Sequence, residues 1–443
     1  MQCIYFLTRD PEDAIDHFPF PSLLTFNLKK QELTLSFLLP FPSSLPFLPS
    51  LFHLPGETER DATIYLGSLG NSYFYWKLSR YYKKQENTEK WQEALKIAIS
   101  IFENSPLDTL DSERDVSFYL GLPGAHALGS ILYFDSGDMK KGKSYVNRLF
   151  ARFKKPFDHQ GLCELLMGLT GYMSCILFLF KYCPTPAPFS SSKALDILRA
   201  CFKLVFTNNG ASMDVSNRTA NATYFGASHG LSGILHCLLF ISDLAKEEPY
   251  KSTILKNLEY LLQNQKDGMF KTISGEDLPE IYQEVQWCHG SPGIIPTLLY
   301  ASKLYNEEKF YQAAVQAAEL VWERGLVYKG FNLCHGICGN AYAFLAMYQH
   351  AKEEKYLLYA YQFCYAMTSA RVRSSVNTFK DPVRMVVGEP DHPHSLMEGI
   401  AGEGCYLIDM LSPLEASFPG FDADWMDTQT FLQTKSRSSR VGS

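Results

Sequence analysis

A long apolar run suited to crossing a membrane is missing from this sequence. The most apolar stretch near the N-terminus, Leu33 to Leu54, is interrupted by four prolines, and its uninterrupted runs fall far short of the ~20 residues of a membrane-spanning helix. It begins well inside the chain and lacks the small-residue cleavage site of a secretory signal peptide. We therefore predict no transmembrane segment, and we interpret residues 1–60 as an atypical, Pro-rich apolar extension that is poorly ordered.

An excess of basic charge is also missing. The 443 residues include 41 Lys and Arg against 47 Asp and Glu, for a formal net charge of −6. No basic stripe with interleaved aromatic residues is present. Both observations argue against a nucleic-acid partner. The polar residues 423–443 are typical of a disordered tail.

Strand signals and a disulfide framework are scarce as well. Period-two alternation bounded by hairpin turns, which marks half-buried strands, is rare. The eleven cysteines have no compact disulfide spacing, and several lie in apolar helical stretches. That usage is typical of a reducing compartment, so we predict a cytoplasmic protein.

What the chain does contain is a sevenfold repeat. A Gly-x-x-Gly frame followed by an apolar segment recurs with its first glycines 46 to 63 residues apart. A period near that length marks a supersecondary unit repeated along the chain. The seven pairs are Gly67/Gly70, Gly121/Gly124, Gly168/Gly171, Gly230/Gly233, Gly290/Gly293, Gly336/Gly339 and Gly399/Gly402.

Each repeat predicts two helices. The segment after a glycine pair, such as Ile234–Phe240, is apolar nearly all round, as expected of a helix buried on every side. Most units then carry an amphipathic segment, of which Lys309–Trp322 is the clearest. Seven such units favour an all-α fold, a seven-fold α/α barrel (toroid) of inner and outer helices, as a single domain over residues 61–422. An open solenoid is the alternative, but it would need polar capping repeats, and none is evident.

Two repeats carry a cysteine and a histidine directly before their first glycine. These are Cys288-His289 in the fifth repeat and Cys334-His335 in the sixth. Thiolate sulfur and imidazole nitrogen are ligands that Zn²⁺ prefers. One pair would indicate little, because a free cysteine is usually a small buried hydrophobe. Two pairs in one frame indicate a metal site at the rim where the glycine turns converge.

These motifs together resemble a known family. The sevenfold glycine repeat, Trp-Cys-His-Gly at 287–290, Cys-His-Gly-x-x-Gly-Asn-Ala-Tyr at 334–342 and Ser-Leu-Met-Glu-Gly-Ile-Ala-Gly at 395–402 look like those of the eukaryotic LanC-like proteins. These proteins are relatives of the bacterial lanthionine cyclases. The resemblance covers about 63–421, and it implies a seven-fold α/α barrel with one zinc ion near the barrel mouth.

The resemblance also implies a reaction. It assigns the zinc to Cys288, Cys334 and His335, and three protein ligands leave one position open, as in catalytic sites. A thiol bound there loses its proton. The eukaryotic branch is understood to add glutathione to dehydroalanine or dehydrobutyrine residues of proteins and peptides. A general acid must then protonate the resulting enolate, and His229 matches the family histidine proposed for that step.

Further site residues follow from the same resemblance. Glu164 stands where the bacterial cyclases have an aspartate that assists the histidine or the substrate; the alternative is an acidic residue on a solvated turn. Lys329 matches a family lysine that contacts a glutathione carboxylate; otherwise it is a surface charge. The family arginine near the final repeat is missing at Gly388, and Arg384 is its nearest replacement. Losing a cationic clamp weakens the case for tight glutathione binding.

A second departure is Cys338, four residues after Cys334. It could serve as a fourth ligand and close the site. We predict instead that it faces a neighbouring helix, because it lies one turn into the inner helix. His289 is expected to make a structural hydrogen bond, and His236 to be a core histidine.

Hypotheses from different classes remain open. The first is an enzyme that adds glutathione to dehydroamino acids with zinc. The second, which the missing arginine favours, is a zinc- and glutathione-binding scaffold or signalling adaptor with weak catalysis. A glycoside hydrolase of the same toroid would need paired carboxylates, and the rim turns offer mainly Cys and His. A fraction associated peripherally with the plasma membrane is compatible with either of the first two.

Overall fold

The computed structural model of the chain describes residues 61–110, 115–153, 163–184, 187–209, 223–275, 284–377, 380–381, 386–387 and 392–421. The predictions for residues 1–60 and 423–443, and for Arg384, concern positions outside these ranges. Fifteen α-helices, α1 to α15 in chain order, make up most of the described chain. None of them is both long enough and apolar enough to span a membrane.

Seven inner helices begin directly after the first glycine of a Gly-x-x-Gly pair. In each of the seven helices this glycine is the N-cap residue, so no side chain caps the N-terminus. Nearly every side chain of α3 is buried, from Pro123 to Phe134, as the all-round apolar sequence predicts. The inner helices are α1 (Ser68–Lys84), α3 (Leu122–Asp135), α5 (Leu169–Tyr182), α7 (Leu231–Leu239), α10 (Ser291–Tyr305), α12 (Ile337–Ala351) and α15 (Ile400–Met410).

Six long outer helices follow the first six inner ones and bury a single face. In α4, for example, the buried residues are Gly142, Val146, Leu149 and Phe150, which recur at helical spacing. The outer helices are α2 (Thr88–Asn104), α4 (Met139–Arg152), α6 (Ser191–Asn209), α9 (Tyr250–Gln263), α11 (Glu308–Arg324) and α13 (Glu354–Thr368).

The remaining elements are short. Two helices, α8 (Ser242–Ala245) and α14 (Ala370–Asn377), lie in connections between the longer ones. Two antiparallel pairs of two-residue strands are formed by β1 (Gln265–Lys266) with β2 (Met269–Phe270) and by β3 (Lys380–Asp381) with β4 (Val386–Val387).

The inner helices form a closed ring. Each contacts the next, and α15 packs against α1. Backbone hydrogen bonds also join the repeats: at six of the seven junctions, the residue two positions before the first glycine donates its N–H to the equivalent carbonyl of the next repeat, over 2.8–3.4 Å. At the remaining junction Ser117 Oγ donates to the Leu166 carbonyl over 2.6 Å. The residues in these positions, called the rim ring below, are Tyr65, Tyr119, Leu166, Ser228, Cys288, Cys334 and Met397.

The bond from Met397 N–H to the Tyr65 carbonyl, 3.0 Å long, closes the rim ring between the seventh and first repeats. The predicted seven-fold α/α barrel is therefore confirmed, and the open solenoid is wrong. The glycine turns lie together at one end of the barrel, where they can position side chains from several repeats.

The segment Ser417–Phe421 fills the barrel axis. It contacts residues of all seven repeats, and its two phenylalanines, Phe418 and Phe421, are buried, which places the segment on the axis of the ring. Phe418 stacks on Trp287 with ring centres 4.6 Å apart, and Phe421 stacks on His236 at 3.9 Å. The seven contacting residues are Lys77, Tyr119, Lys181, His236, Trp287, Tyr342 and Asp409.

Candidate metal centre and active site

Three candidate ligands meet at the rim. The sulfur atoms of Cys288 and Cys334 and a ring nitrogen of His335 all lie within 4.8 Å of one another. The two cysteines are adjacent members of the rim ring, since Cys288 N–H donates to the Cys334 carbonyl over 3.1 Å. Equivalent positions in neighbouring repeats therefore bring the two sulfurs to the same point. Within the described residues this is the only such group of three His, Cys, Asp or Glu side chains.

The two sulfurs have opposite acid–base character. A hydrogen bond from Cys288 holds the pKa of the Cys334 thiol well below its usual range, with further help from His335 and Tyr65. Burial raises the pKa of Cys288 well above its usual range, and the neighbouring Cys334 adds to that increase. The lowered pKa favours the thiolate form of Cys334, and the Tyr65 hydroxyl donates a hydrogen bond to this sulfur over 2.8 Å.

Buried amides position His335 and the segment before Cys288. The Asn332 side chain accepts from His335 N–H over 2.9 Å and donates to the Lys329 carbonyl over 3.0 Å. The Asn340 side chain donates to the carbonyls of Val285 and Gly325, over 2.9 and 2.8 Å. These bonds leave the ligand-bearing turns little freedom, which favours a preformed site.

The donor set fits a zinc ion. Two sulfurs and one imidazole nitrogen are ligands that Zn²⁺ prefers, and a tetrahedral zinc with bonds of about 2.0–2.3 Å holds its ligand atoms roughly 3.5–3.8 Å apart. Atoms already within 4.8 Å of one another need only small movements to reach that spacing. Cys338 lies elsewhere, because its thiol donates to the sulfur of Met367 on α13 over 3.4 Å. It faces a neighbouring helix, as predicted.

A half-buried His229 and a buried Glu164 form a pair at the same rim. His229 Nδ1 lies 2.7 Å from Glu164 Oε2, and the carboxylate also accepts the N–H groups of Leu166 and Met167. Glu164 is 2% exposed, so it does not lie on a solvated turn. Burial lowers the pKa of His229, but the hydrogen bond and charge of Glu164 outweigh it, and the net pKa is raised.

His229 also lies beside the cysteine cluster. Its neighbour Ser228 donates its N–H and its hydroxyl to the Cys288 carbonyl, over 3.4 and 3.2 Å. The charge of Cys334 contributes to the raised pKa of His229, although less than Glu164 does. The expected acid and the expected metal ligands thus occupy one site.

Lys329 is buried rather than on the surface. Its ammonium pairs with Glu284 at 3.2 Å, and the two side chains are 8% and 10% exposed. It also donates to Gln286 Oε1 over 3.4 Å. The alternative of a plain surface charge is therefore wrong.

The expectations for two further histidines have different outcomes. His289 Nδ1 is buried without a hydrogen-bond partner, so the predicted structural hydrogen bond is not seen at that atom. Its ring packs against Tyr224 and His229 instead, with ring centres 5.7 and 6.0 Å apart. His236 is a core histidine as predicted, because it is 2% exposed and stacks on Phe421.

Sequence reasoning missed Tyr65 and Glu284. A signal for Tyr65 was present, because it stands two residues before a first glycine, as Cys288 and Cys334 do. Glu284 stands six residues before a first glycine, as the acidic residues Asp61 and Asp115 do, but its pairing with Lys329, 45 residues away, has no signal in the sequence.

Comparisons with known proteins agree with this fold. The profile of the family described as lanthionine synthetase C-like protein matches residues 58–423. The chain is 30% identical to the glutathione S-transferase LANCL1 of Danio rerio over 329 residues, which cover 70% of this chain and 75% of that protein. It is 29% identical to the LanC-like protein GCL1 of Arabidopsis thaliana over 377 residues, 82% of this chain and 81% of that protein.

Among solved structures, nisin cyclase superposes with a TM-score of 0.58 at 16% sequence identity, covering 86% of this chain and 94% of the cyclase. At that identity the likeness concerns the fold alone. The family match spans nearly all of the described barrel. The chain therefore belongs to the lanthionine synthetase C-like family, which includes a relative named as a glutathione S-transferase.

Proposed function

We propose that this chain adds the sulfur of glutathione to dehydroalanine or dehydrobutyrine residues in proteins or peptides, with one zinc ion held by Cys288, Cys334 and His335. The observation that carries the proposal is the meeting of this donor set with the His229–Glu164 pair at one rim. The relative named as a glutathione S-transferase supports glutathione as the co-substrate.

The donor set suits catalysis because it supplies three ligands. A zinc ion bound there would remove the proton from a thiol in its open fourth position. Hydrogen bonds from Cys288 and Tyr65 lower the pKa of Cys334, which favours the thiolate form that metal binding requires. The buried Asn332 and Asn340 amides keep the ligand turns in place.

His229 supplies the proton. As the glutathione sulfur bonds to the β-carbon, the electron pair of the carbon–carbon double bond moves toward the α-carbon and its carbonyl, and His229 protonates the α-carbon. The thiol proton leaves to solvent, so the addition needs neither oxidant nor reductant. Glu164 positions the imidazole and favours its protonated form, since it raises the pKa of His229 against the lowering effect of burial.

The proposal is tested with the full chain, glutathione and a dehydroalanine peptide, by weighing the product. We expect a mass increase equal to one glutathione, about one zinc per chain, and loss of both in Cys334→Ala. His229→Ala should keep its zinc and lose activity by about 10²–10⁴-fold. Cys338→Ala is the matched control, because this buried cysteine of the same repeat faces Met367, and it should keep both properties. Wild-type chain purified without chelators that holds no zinc would refute the proposal.

A binding scaffold without turnover is the second candidate. The observation in its favour is the glycine at position 388, where the family resemblance leads one to expect an arginine. The same assay separates the two: bound zinc and glutathione with no product over hours would indicate the scaffold.

A further inference from the structure

The buried ion pair of Lys329 and Glu284 lies beside the candidate metal ligands, and the proposed reaction gives it no role. Lys329 Nζ is 3.2 Å from Glu284 Oε1 and 3.4 Å from Gln286 Oε1. Burying two charges is expensive, and an ion pair in a protein interior is weak evidence for stability. A buried pair beside the candidate metal ligands therefore favours a role in binding over a role in stability.

Both charges are held in place by the elements that hold the metal ligands. Asn332 joins the Lys329 carbonyl to His335 N–H, and Ile337 N–H at the start of α12 donates to the Gly330 carbonyl over 3.1 Å. On the other side, Asn340 fixes the Val285 carbonyl, next to Glu284. The ammonium and the carboxylate are thus fixed relative to the cluster.

The pair is close enough to act on the cluster electrostatically. Burial raises the pKa of Cys288, the charge of Glu284 adds to that increase, and Lys329 opposes it. Lys329 also acts on His335, where burial lowers the pKa but the Cys334 sulfur gives a net increase. The ion pair and the candidate metal ligands therefore belong to one electrostatic environment.

The paired charges favour a ligand group that itself carries both a positive and a negative charge. A lysine alone would attract any carboxylate, but beside Glu284 the net charge is zero and a lone carboxylate meets repulsion as well as attraction. An α-amino-acid end carries both an ammonium and a carboxylate. It can place the carboxylate on Lys329 and the ammonium on Glu284, with the Gln286 oxygen as a further acceptor.

We propose that Lys329 and Glu284 together bind the α-ammonium and α-carboxylate groups of the thiol substrate, which in glutathione form its γ-glutamyl end. The inference rests on the proposed function for its choice of thiol, and it adds Glu284 as a specificity-determining residue. Thiols with a blocked amino group meet an unpaired Glu284 carboxylate, so the site selects against them.

The test measures binding of glutathione and of N-acetylglutathione to the zinc-loaded full chain by calorimetry. Wild type should prefer glutathione by about tenfold or more. Glu284→Gln should abolish the preference. It should lower the affinity for glutathione about tenfold and leave the affinity for N-acetylglutathione unchanged or higher. Lys329→Met should lower the affinity for both ligands. Glu319→Gln, which removes an exposed carboxylate paired with Lys355 between α11 and α13, is the control and should behave as wild type.

Several outcomes would overturn the inference: no preference in wild type, or a Glu284→Gln variant that binds both ligands more tightly, which would make Glu284 only a shield on Lys329. If Glu284→Gln fails to fold, Glu284→Asp keeps the charge on a shorter side chain and should reduce the preference without abolishing it.

Binding of free cysteine separates this inference from the proposed function. Wild type that binds cysteine in a Glu284-dependent way but not glutathione would refute glutathione as co-substrate and keep the amino-acid subsite. Binding of neither would refute both.

Discussion

Tyr65 shows how a single hydroxyl can tune the cluster. It is buried and donates a hydrogen bond to the Cys334 sulfur, 269 residues away in sequence. Hydrogen bonds to a metal-bound thiolate hold the ligand in place and adjust its charge. Tyr119 occupies the equivalent rim-ring position of the next repeat, but its hydroxyl donates to the Pro419 carbonyl.

This contrast gives a matched pair of variants. Tyr65→Phe should weaken zinc binding by about tenfold, because a supporting partner of a metal ligand typically contributes 10–100-fold in affinity. Tyr119→Phe should leave zinc affinity unchanged while removing another buried tyrosine hydroxyl. Competition with a chromophoric chelator measures both affinities, and equal affinities for the two variants would show that the Tyr65 bond to sulfur has no effect on the metal.

The Glu164–His229 pair predicts a pH dependence. As a general acid, His229 must carry its proton, so activity should be high below its pKa and fall as pH rises through it. Glu164 raises that pKa against the lowering effect of burial. Glu164→Gln should therefore move the alkaline limb of the rate profile to lower pH and reduce the rate at neutral pH. The measurement is the rate of product formation across pH. An alkaline limb at the same pH in wild type and Glu164→Gln would show that Glu164 does not set the pKa of the general acid.

At the scale of elements, the glycine turns allow neighbouring repeats to approach closely. A Cβ at Gly226 would lie 2.2 Å from the Cys288 carbonyl oxygen and 2.7 Å from the His289 Cα. Only glycine permits this approach without displacing backbone. The turn that carries His229 and the turn that carries Cys288 are therefore in contact because position 226 has no side chain.

Gly226→Ala should push these two turns apart. We expect a loss of about 1–3 kcal/mol in unfolding free energy from overpacking, together with weaker zinc binding and lower activity. Gly137→Ala is the control, because Gly137 has a φ of +89° but open space where a Cβ would lie. This variant should lower stability by about 1–2 kcal/mol and leave zinc binding unchanged. Urea unfolding and zinc analysis measure the two effects, and normal zinc binding in Gly226→Ala would contradict this account.

At the scale of the whole molecule, the chain fills its own barrel. Phe418 lies between Trp287 and Tyr342, and the Asp409 carboxylate accepts from Ser417 N–H, from the Tyr342 hydroxyl and from Lys77. A ring of seven helices encloses space that side chains of the ring do not fill alone. The segment Ser417–Phe421 occupies it and connects all seven repeats.

Phe418→Ala should therefore destabilise the whole barrel by about 3–5 kcal/mol, the usual cost of removing a buried phenylalanine. Leu414→Ala, a control three residues before this segment and 57% exposed, should change stability by less than about 0.5 kcal/mol. Thermal or urea unfolding compares the two. Similar small losses for both variants would mean that the segment does not support the ring.

Much of this protein follows from local sequence. The seven glycine pairs and the apolar segments after them predicted seven buried helices, and each begins at its expected glycine, because helix boundaries and buried faces are set by residues near one another in the chain. The Cys-His positions, read with the family resemblance, named three residues that the structure brings together.

Other features were decided only by the tertiary structure. The rim ring brings Tyr65 to Cys334 and Glu164 to His229, and packing of the turns brings Glu284 to Lys329; each partner lies tens to hundreds of residues away in sequence. Local pattern could not predict that Glu164 is buried, that Lys329 is already paired, or that Ser417–Phe421 fills the axis. Those outcomes depend on the closing of seven repeats into one ring, which sets distances between residues that no local sequence signal connects.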